Sequence, residues 1–417
     1  MKILVVLGLE ANPKIGGVER VTHVLTEHFI KEGIRVSYLY FRFKQITFPE
    51  YNKNVDVFFL PDTVKANTKE NIAFLRNIIK DNNINIVINQ GNIADSVSAL
   101  IAESVKGTKC GIISILHNTP FKFKQFYGQY KQTIAQYLAT QKKSFKNTLK
   151  KKLILLIAYN EYYNSYKKNF KIAIRSSDRF VLLSQGYIPV LCKILNIKNS
   201  GNIVAIANPS SFTDEFLVTE LSLKKKQVIY VGRLDYNQKR VDRLLNIWSL
   251  IEADFDDWQL IIIGGSLDIN AGNKNDYQAQ ELTRLKAISE QLQLKHVIFT
   301  GNTDPIPYYK DSSIICLTSN YEGFPMVLVE AIRFGVVPVV FGSFEAINDL
   351  IDHDKNGLIA SPFNLNEYAA LLNDIMKNNV KREEMGIRAI NTSKKYTIGA
   401  IGSLWIELFN EVILNIV

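Results

Sequence analysis

Cysteine is scarce: the 417 residues hold three, Cys110, Cys192 and Cys316, far apart and each within an apolar stretch. That spacing excludes a disulfide framework and a cysteine-ligated metal site, and it fits a reducing cytosol. Each reads as a small buried hydrophobe. Long hydrophobic runs are also missing. The apolar start at residues 3–7 is followed at once by Glu10, Asn12 and Lys14, with no small-residue cleavage site, so it reads as a buried first strand rather than a signal peptide. Residues 153–158 form the nearest other candidate and fall far short of the roughly 20 apolar residues that span a bilayer. Internal repeats and low-complexity tracts are absent. Asp254-Phe255-Asp256-Asp257 offers an Asp-x-Asp pattern. It precedes a strand, at the amino end, and reads as a solvated turn rather than a metal site.

What is present is ordinary globular composition, 47% hydrophobic and 22% charged, in a chain long enough for two or three domains. The net charge of +10 is concentrated. Residues 121–175 contain thirteen Lys/Arg, one Glu and twelve Phe/Tyr, a local balance of +12, which leaves about −2 for the remainder. This is a basic segment on a near-neutral protein.

Short apolar runs alternate with longer amphipathic stretches. Residues 3–7, 36–40, 86–88, 111–116 and 180–183 read as strands, with helices at 18–32 and 94–105 between them. The pattern restarts at 228–231, 259–263, 297–299, 314–317 and 336–340. Buried strands separated by helices predict parallel sheets covered on both faces. The expected fold class is α/β, with two doubly wound Rossmann-like domains and a seam in the polar stretch near 195–225. Such sheets take ligands at the carboxyl ends of their strands.

There the sequence is most informative. The strand at 314–317 is followed by Ser319-Asn320-Tyr321-Glu322-Gly323-Phe324-Pro325, then by an apolar helix at 326–334 that carries Glu330. Gly323 permits close backbone approach, and Pro325 suits the first helical position. The free N–H groups around Phe324 offer an anion site. Glu330, on the second turn, is placed to accept hydrogen bonds from two ribose hydroxyls, and Glu322, in the loop, to reach hydroxyls beyond a phosphate. Taken singly, each also reads as a solvated carboxylate on a strand–turn–helix packing unit. Val231-Gly232-Arg233-Leu234-Asp235 closes the first strand of the second series, and Lys239 follows. A planar guanidinium fork and a point charge both suit a diphosphate. Gly16 and Gly17, after the first strand of the chain, open a helix and can present backbone N–H groups to a phosphate.

Together these features resemble retaining glycosyltransferases of the GT-B fold, specifically glycosyltransferase family 4. The resemblance rests on Gly16-Gly17-Val18-Glu19-Arg20, His117, Val231-Gly232-Arg233-Leu234 with Lys239, Glu322-Gly323-Phe324-Pro325 through Glu330, the run from Ala331 to Val340, and Asn356-Gly357-Leu358. It is strongest over residues 225–395. It implies an acceptor-binding domain at 1–205, a donor-binding domain at 206–395 and a terminal helical stretch at 396–417 that returns to the first domain. It implies a nucleotide diphosphate sugar as co-substrate, by family frequency a UDP-sugar, with no further cofactor and no metal. Arg233 and Lys239 would hold the diphosphate, Glu330 the ribose, Glu322 the sugar hydroxyls, Asn302 and Thr303 the base, and His117 the transferred sugar. In the front-face route usual for the family, the acceptor hydroxyl attacks on the side from which the diphosphate departs, and a phosphate oxygen takes its proton. His23, His28, His296 and His353 have no comparable setting. The family often has a Gly-Gly pair before a Glu after the strand that contains Pro338; here the stretch reads Gly342-Ser343-Phe344-Glu345, with a bulky Phe344. A sugar-nucleotide epimerase or phosphorylase of similar fold, or a non-catalytic sugar-nucleotide-binding protein, remains open as an alternative.

The basic segment lies in the expected acceptor domain. Residues 142–157 read as a helix with Phe145, Leu149, Leu153 and Leu156 on one stripe and Lys143, Lys146 and Lys150 to its side. Basic and aromatic residues together suit an anionic membrane surface. The expected partners are therefore a nucleotide-sugar donor, a glycan or lipid-linked glycan acceptor in bacterial surface polysaccharide assembly, and the cytoplasmic face of the membrane. Nucleic acid is not expected, since no DNA- or RNA-binding motif accompanies the charge. An ordinary core helix with solvated lysines is the plainer alternative.

Overall fold

The computed structural model describes residues 1–8, 10–13, 16–42, 45, 47, 50, 53–90, 96–120, 145–198, 200–212, 220–265 and 277–416. The chain divides into two compact units, residues 1–207 with 401–417, and residues 208–400.

In the first unit, β1 (Lys2–Leu7), β2 (Arg35–Tyr40), β3 (Asp56–Phe59), β4 (Ile86–Asn89), β5 (Gly111–Leu116), β6 (Arg179–Leu182) and β7 (Ile203–Ala205) form one parallel sheet in the order β3-β2-β1-β4-β5-β6-β7. Consecutive Ile, Leu and Val run through β1 and β4 with both faces covered; Ile3, Leu4, Val6, Ile86 and Val87 are fully buried. Helices α1 (Gly17–Lys31), α2 (Lys69–Asp81), α3 (Val97–Val105), α4 (Phe145–Ser176) and α5 (Tyr187–Leu195) connect the strands.

The second unit repeats the plan. Strands β8 (Lys225–Val231), β9 (Gln259–Ile263), β10 (Val297–Gly301), β11 (Ser312–Leu317), β12 (Val337–Phe341) and β13 (Leu358–Ala360) pair in parallel in the order β10-β9-β8-β11-β12-β13. Helices α6 (Val241–Ser249), α7 (Tyr277–Gln291), α8 (Ile306–Asp311), α9 (Met326–Ile332), α10 (Ile347–Leu350), α11 (Leu365–Lys377) and α12 (Asn379–Ser393) surround the sheet. The last helix, α13 (Ile398–Leu414), belongs from Ile401 onward to the first unit. Its buried stripe Ile401, Trp405, Leu408, Phe409 and Val412 follows helical spacing. Phe409 meets Phe29 edge-on with ring centroids 5.2 Å apart, and Glu411 pairs with Arg179.

Both sheets are doubly wound, so strand order reverses between β1 and β4 in one unit and between β8 and β11 in the other. Crevices at the carboxyl ends of such neighbours are where open α/β sheets hold ligands. Geometry thus singles out the residues that follow Val231 and Leu317.

Several elements differ from the sequence expectation. Strands β3, β7 and β13 were not expected; they are three or four residues long, too short for a periodicity signal. The helix expected at 142–157 runs over Phe145–Ser176. No Gly or Pro stops it, and Tyr166, Phe170, Ala173 and Ile174 supply a buried face further along. The helix expected at 326–334 ends at Ile332 because Gly335 takes a left-handed backbone, φ 69°, and Pro325 is its N-cap rather than its first residue. One helical stretch, Asn379–Leu414, does contain an 18-residue window apolar enough to cross a membrane, with mean hydropathy 1.4, although a third of that window is buried. Glu407 and Glu411 interrupt it, so no continuous apolar run is visible in the sequence.

Candidate active site

Two loops at the β8/β11 switch point are stitched together. After β8, Asp235 makes a tight turn: its carboxylate accepts from the amides of Asn237 and Gln238, and its carbonyl from that of Lys239 at 2.8 Å. After β11, the Asn320 amide donates to the Gln238 carbonyl at 2.7 Å and its side chain to the Asn237 carbonyl. Thr318 Oγ1 donates to the Arg240 carbonyl at 2.9 Å. This stitching sets Lys239 against Glu322.

Lys239 Nζ lies 2.7 Å from Glu322 Oε1. Glu322 also accepts from Ser319 Oγ at 2.6 Å and Gln238 Nε2 at 3.0 Å. With 5% of its surface exposed, Glu322 is no solvated loop carboxylate. Burying such a charge is costly unless donors surround it, and here a cation, a hydroxyl and an amide do so. Arg233, on the same loop, is exposed, and its guanidinium meets no acceptor among the described residues. Lys239 and Arg233 thus stand at a strand end with the Glu322 and Asp235 carboxylates, and the exposed guanidinium, which meets no acceptor among the described residues, can take an anionic ligand.

Glycine makes the close packing here possible. Gly232 has φ 149°, and a Cβ there would lie 3.1 Å from the Tyr230 hydroxyl. Gly264, at the end of β9 with φ 146°, abuts it so closely that a Cβ would sit 1.9 Å from the Gly232 carbonyl oxygen. Tyr230, fully buried, donates to the Arg233 carbonyl at 2.8 Å. Burial, then the nearby Glu322 and Asp235 carboxylates, push its phenol well above the ordinary range, so it acts only as a neutral donor.

Glu330 is 2% exposed. Its Oε1 accepts from the Ser211 hydroxyl and its Oε2 from the Tyr309 hydroxyl at 3.1 Å. Phe324 is buried against Tyr396, ring centroids 5.6 Å apart. Gly323 and Pro325 shape the chain between the two glutamates. Since α9 has seven residues, its amino end is too short to act as an anion site by itself, and the case for the site rests on the side chains. Asn302 and Thr303 are exposed after β10, two strands and about 10 Å from β8. Phe344, which looked bulky for this setting, is 4% exposed and packs inward, while Ser343 Oγ donates to the Ser319 carbonyl at 2.7 Å. Asn356 ties its own loop by donating to the Leu350 carbonyl and Thr392, a structural role.

In the first unit, Gly16 is the N-cap of α1, in extended backbone, and Gly17 its first residue. The Glu19 carboxylate folds back so that a Cβ on Gly16 would meet it at 2.5 Å, whereas Gly17 faces open space. His117 follows β5; its ring is partly exposed, but both nitrogens are buried and find no hydrogen-bond partner among the described residues. Burial pushes its imidazole down to about 4, so it is neutral at pH 7. Lys143 lies outside the described residues. Lys146 and Lys150 fall in α4, but their side chains, like those of Phe145, Leu149, Leu153 and Leu156, lie outside the described ones.

Sequence reasoning missed Ser319 and Gln238 as partners of Glu322, Ser211 and Tyr309 as partners of Glu330, and Gly264. Ser319 sits three residues before Glu322 and was within reach of a local reading. Ser211, 119 residues from Glu330, left no sequence signal.

The two parallel α/β units define the GT-B class of fold. Residues 15–208 match the family model described as Glycosyltransferase Family 4, and residues 211–392 the one described as Glycosyl transferases group 1. The two matches span nearly the whole chain, and the protein belongs to glycosyltransferase family 4. Among its relatives, the amylovoran biosynthesis glycosyltransferase AmsD of Erwinia amylovora is 28% identical over 56% of this chain and 62% of its own length. A Campylobacter jejuni α-1,4-N-acetyl-D-galactosaminyltransferase, named for a diNAcBac-PP-undecaprenol-linked glycan, is 27% identical over 50% of this chain and 54% of its own. The chain thus spans between half and two-thirds of the length of these two curated relatives. Among solved structures, Anabaena HepE in complex with UDP superposes with a TM-score of 0.70 at 16% identity, covering 99% of this chain and 100% of that one.

Proposed function

We propose that the protein transfers a sugar from a nucleotide diphosphate sugar, a UDP-sugar, to a hydroxyl of a lipid-linked glycan in bacterial surface polysaccharide assembly, with retention of anomeric configuration and without a metal. The observation that carries this reading is the Lys239–Glu322 pair, with Glu322 buried, and on the same loop an exposed Arg233 that meets no acceptor among the described residues, at the switch point of the second unit. Arg233 and Lys239 take the diphosphate. Glu322, released in part by Lys239, accepts from sugar hydroxyls, and Glu330 accepts from the ribose. Asn302 and Thr303 face the base, and the N–H groups at Gly16 and Gly17 add donors for phosphate. His117, neutral and with no partner for either nitrogen among the described residues, hydrogen-bonds the transferred sugar.

The chemistry asks little of a nucleophile. Negative charge grows on the departing diphosphate, and fixed cations and backbone donors stabilise it. Each such donor is worth about 3–4 kcal/mol in the transition state. The family membership supports glycosyl transfer, the names of the relatives support a glycan on a lipid carrier, and the UDP bound by HepE supports the base. The enzyme would work in the cytoplasm, docked on the inner membrane surface through the basic segment with Lys143, Lys146 and Lys150.

The test is a thermal-shift panel with UDP, GDP and ADP, without metal, on the wild type and on Glu330→Ala. A ligand at a hundred times its dissociation constant adds about 2.7 kcal/mol. UDP should stabilise the wild type and not the variant. Failure of every nucleotide at millimolar concentration would refute the site. Incubation of donor alone, followed by NMR, separates transfer from epimerisation: an isomer formed without acceptor would identify an epimerase. With acceptor, the anomeric coupling of the product reports retention.

A further inference from the structure

The chain enters the second unit at Asn208, and the next few residues are anchored directly on the candidate site. Ser210 donates its amide to the Tyr396 carbonyl at 2.7 Å, just before the chain leaves the same unit after Ala400. The Ser211 hydroxyl donates to Glu330 Oε1. The Phe212 carbonyl accepts from Arg333 Nη1 at 3.4 Å, and the Phe212 ring packs edge-on against Tyr309 and Phe334, centroids 6.2 and 5.8 Å away. Tyr309 donates its hydroxyl to Glu330 Oε2, and its carbonyl accepts from the Lys224 ammonium at 2.9 Å. Glu330 therefore holds two hydroxyls already, one from the entry segment and one from α8.

We infer that Ser211 is a positioning residue that occupies Glu330 in the donor-free protein and yields it to a ribose hydroxyl, so that donor binding removes one of the ties that hold the segment 208–212, through which the chain enters the second unit. The inference rests on the ribose role proposed for Glu330. The vicinal hydroxyls of a ribose would compete for the same carboxylate. Tyr309 is fixed by its buried ring and by Lys224 and does not move aside. Ser211 sits on an irregular segment, and its hydroxyl turns away with one side-chain torsion. A contact made only in the free state lowers apparent donor affinity by its own worth, so removing it raises that affinity. Tyr309 has the opposite effect: it aligns Glu330 in both states.

The experiment measures dissociation constants of UDP and 2′-deoxy-UDP by calorimetry on wild type, Ser211→Ala and Tyr309→Phe, with hydrogen exchange of the peptide around residues 208–212 in wild type. Ser211→Ala should tighten UDP by about tenfold or more, the scale of one hydrogen bond to a charged group. It should leave 2′-deoxy-UDP nearly unchanged. Tyr309→Phe should weaken UDP. Saturating UDP should speed exchange at Ser211 and Phe212. Weaker or equal UDP binding by Ser211→Ala, equal tightening of the deoxy nucleotide, or unchanged exchange overturns the latch while leaving the ribose role intact. If the wild type binds neither nucleotide, or does not discriminate between them, the ribose role itself falls, and the latch with it. Ser211→Thr keeps the hydroxyl and should restore wild-type affinity, which separates the hydrogen bond from any loss of folding.

Discussion

At the switch point of the first unit the buried polar groups are mostly neutral. Asn89, at the end of β4, donates to Ser98 at 3.1 Å, Ser177 donates to Ser114 at 2.8 Å, and Thr22 bonds the side chain of Gln90. One carboxylate, Glu10, is buried there and accepts from the Thr47 amide. At the switch point of the second unit the chemistry is ionic, with Lys239 and Glu322 paired and Arg233 exposed, meeting no acceptor among the described residues. The same strand order thus supports two different kinds of site. Buried neutral groups that bond one another tie strands and helices together; fixed cations suit a diphosphate whose charge grows as it leaves. If that division of labour holds, mutations in the two units should fail in different ways.

The largest contrast lies within the second unit, between its two cations. Lys239→Ala strands Glu322 as a buried, uncompensated charge and should cost about 3–5 kcal/mol of stability, together with transfer. Arg233→Ala removes an exposed side chain and should change stability by no more than about 0.5 kcal/mol, while transfer falls about a hundred- to a thousandfold. Urea denaturation beside a transfer assay reads both. Equal losses of stability would mean that Arg233 is structural and that the site has no free cation for a leaving diphosphate.

Glycines sharpen the comparison. Gly264→Ala forces a Cβ into the Gly232 carbonyl at a φ of 146°, and should cost about 3 kcal/mol or more. Gly17→Ala adds a methyl group into open space at the start of α1 and should be neutral or stabilise by about 0.4–1 kcal/mol. If Gly17→Ala nonetheless abolishes transfer, backbone approach of a phosphate there is the remaining explanation. If it leaves transfer intact, the Gly-Gly pair is only a helix start.

His117 distinguishes the units by pH. Its imidazole is pushed down to about 4 by burial, from an ordinary 6.5. Between those values the unfolded chain binds a proton that the folded one refuses, so stability rises with pH through this window and is lost as pH falls from 6.5 towards 4. The effect amounts to at most about 3 kcal/mol. His117→Asn should flatten this part of the stability curve. Urea midpoints at half-unit steps of pH would show it, and an unchanged curve would place the acid sensitivity elsewhere.

What was legible follows from what leaves a local pattern. The buried parallel strands were visible because both faces need apolar residues, which writes continuous Ile, Val and Leu runs such as Ile3–Leu7 into the chain. Glu322 and Glu330 were visible because two carboxylates interrupt a core-like run. Their burial was not, since that depends on partners brought in by folding. Lys239 reaches Glu322 across 83 residues and Ser211 reaches Glu330 across 119. The sequence reading took Lys239 as a ligand for phosphate and Glu322 as a ligand for sugar; in the structure they are first of all ligands for each other. Gly264 was overlooked for the same reason, because the carbonyl it must accommodate belongs to another strand.

The smallest effect concerns the first unit's positive charge. With twelve net charges in residues 121–175 and about −2 elsewhere, any attraction to anionic lipid must come from this segment. Each basic residue at such a surface contributes about 1 kcal/mol. Reversing Lys146 and Lys150 to Glu should therefore lower flotation with anionic vesicles more than tenfold, while leaving recovery with neutral vesicles and transfer to a soluble acceptor analogue unchanged. The comparison between units supplies the control. Reversing Lys225 and Lys226 in the second unit, exposed lysines paired with Asp311 and Asp257, changes the net charge equally and should leave flotation as it was. Equal losses from both pairs would reduce the membrane reading to overall charge, and no loss from either would end it.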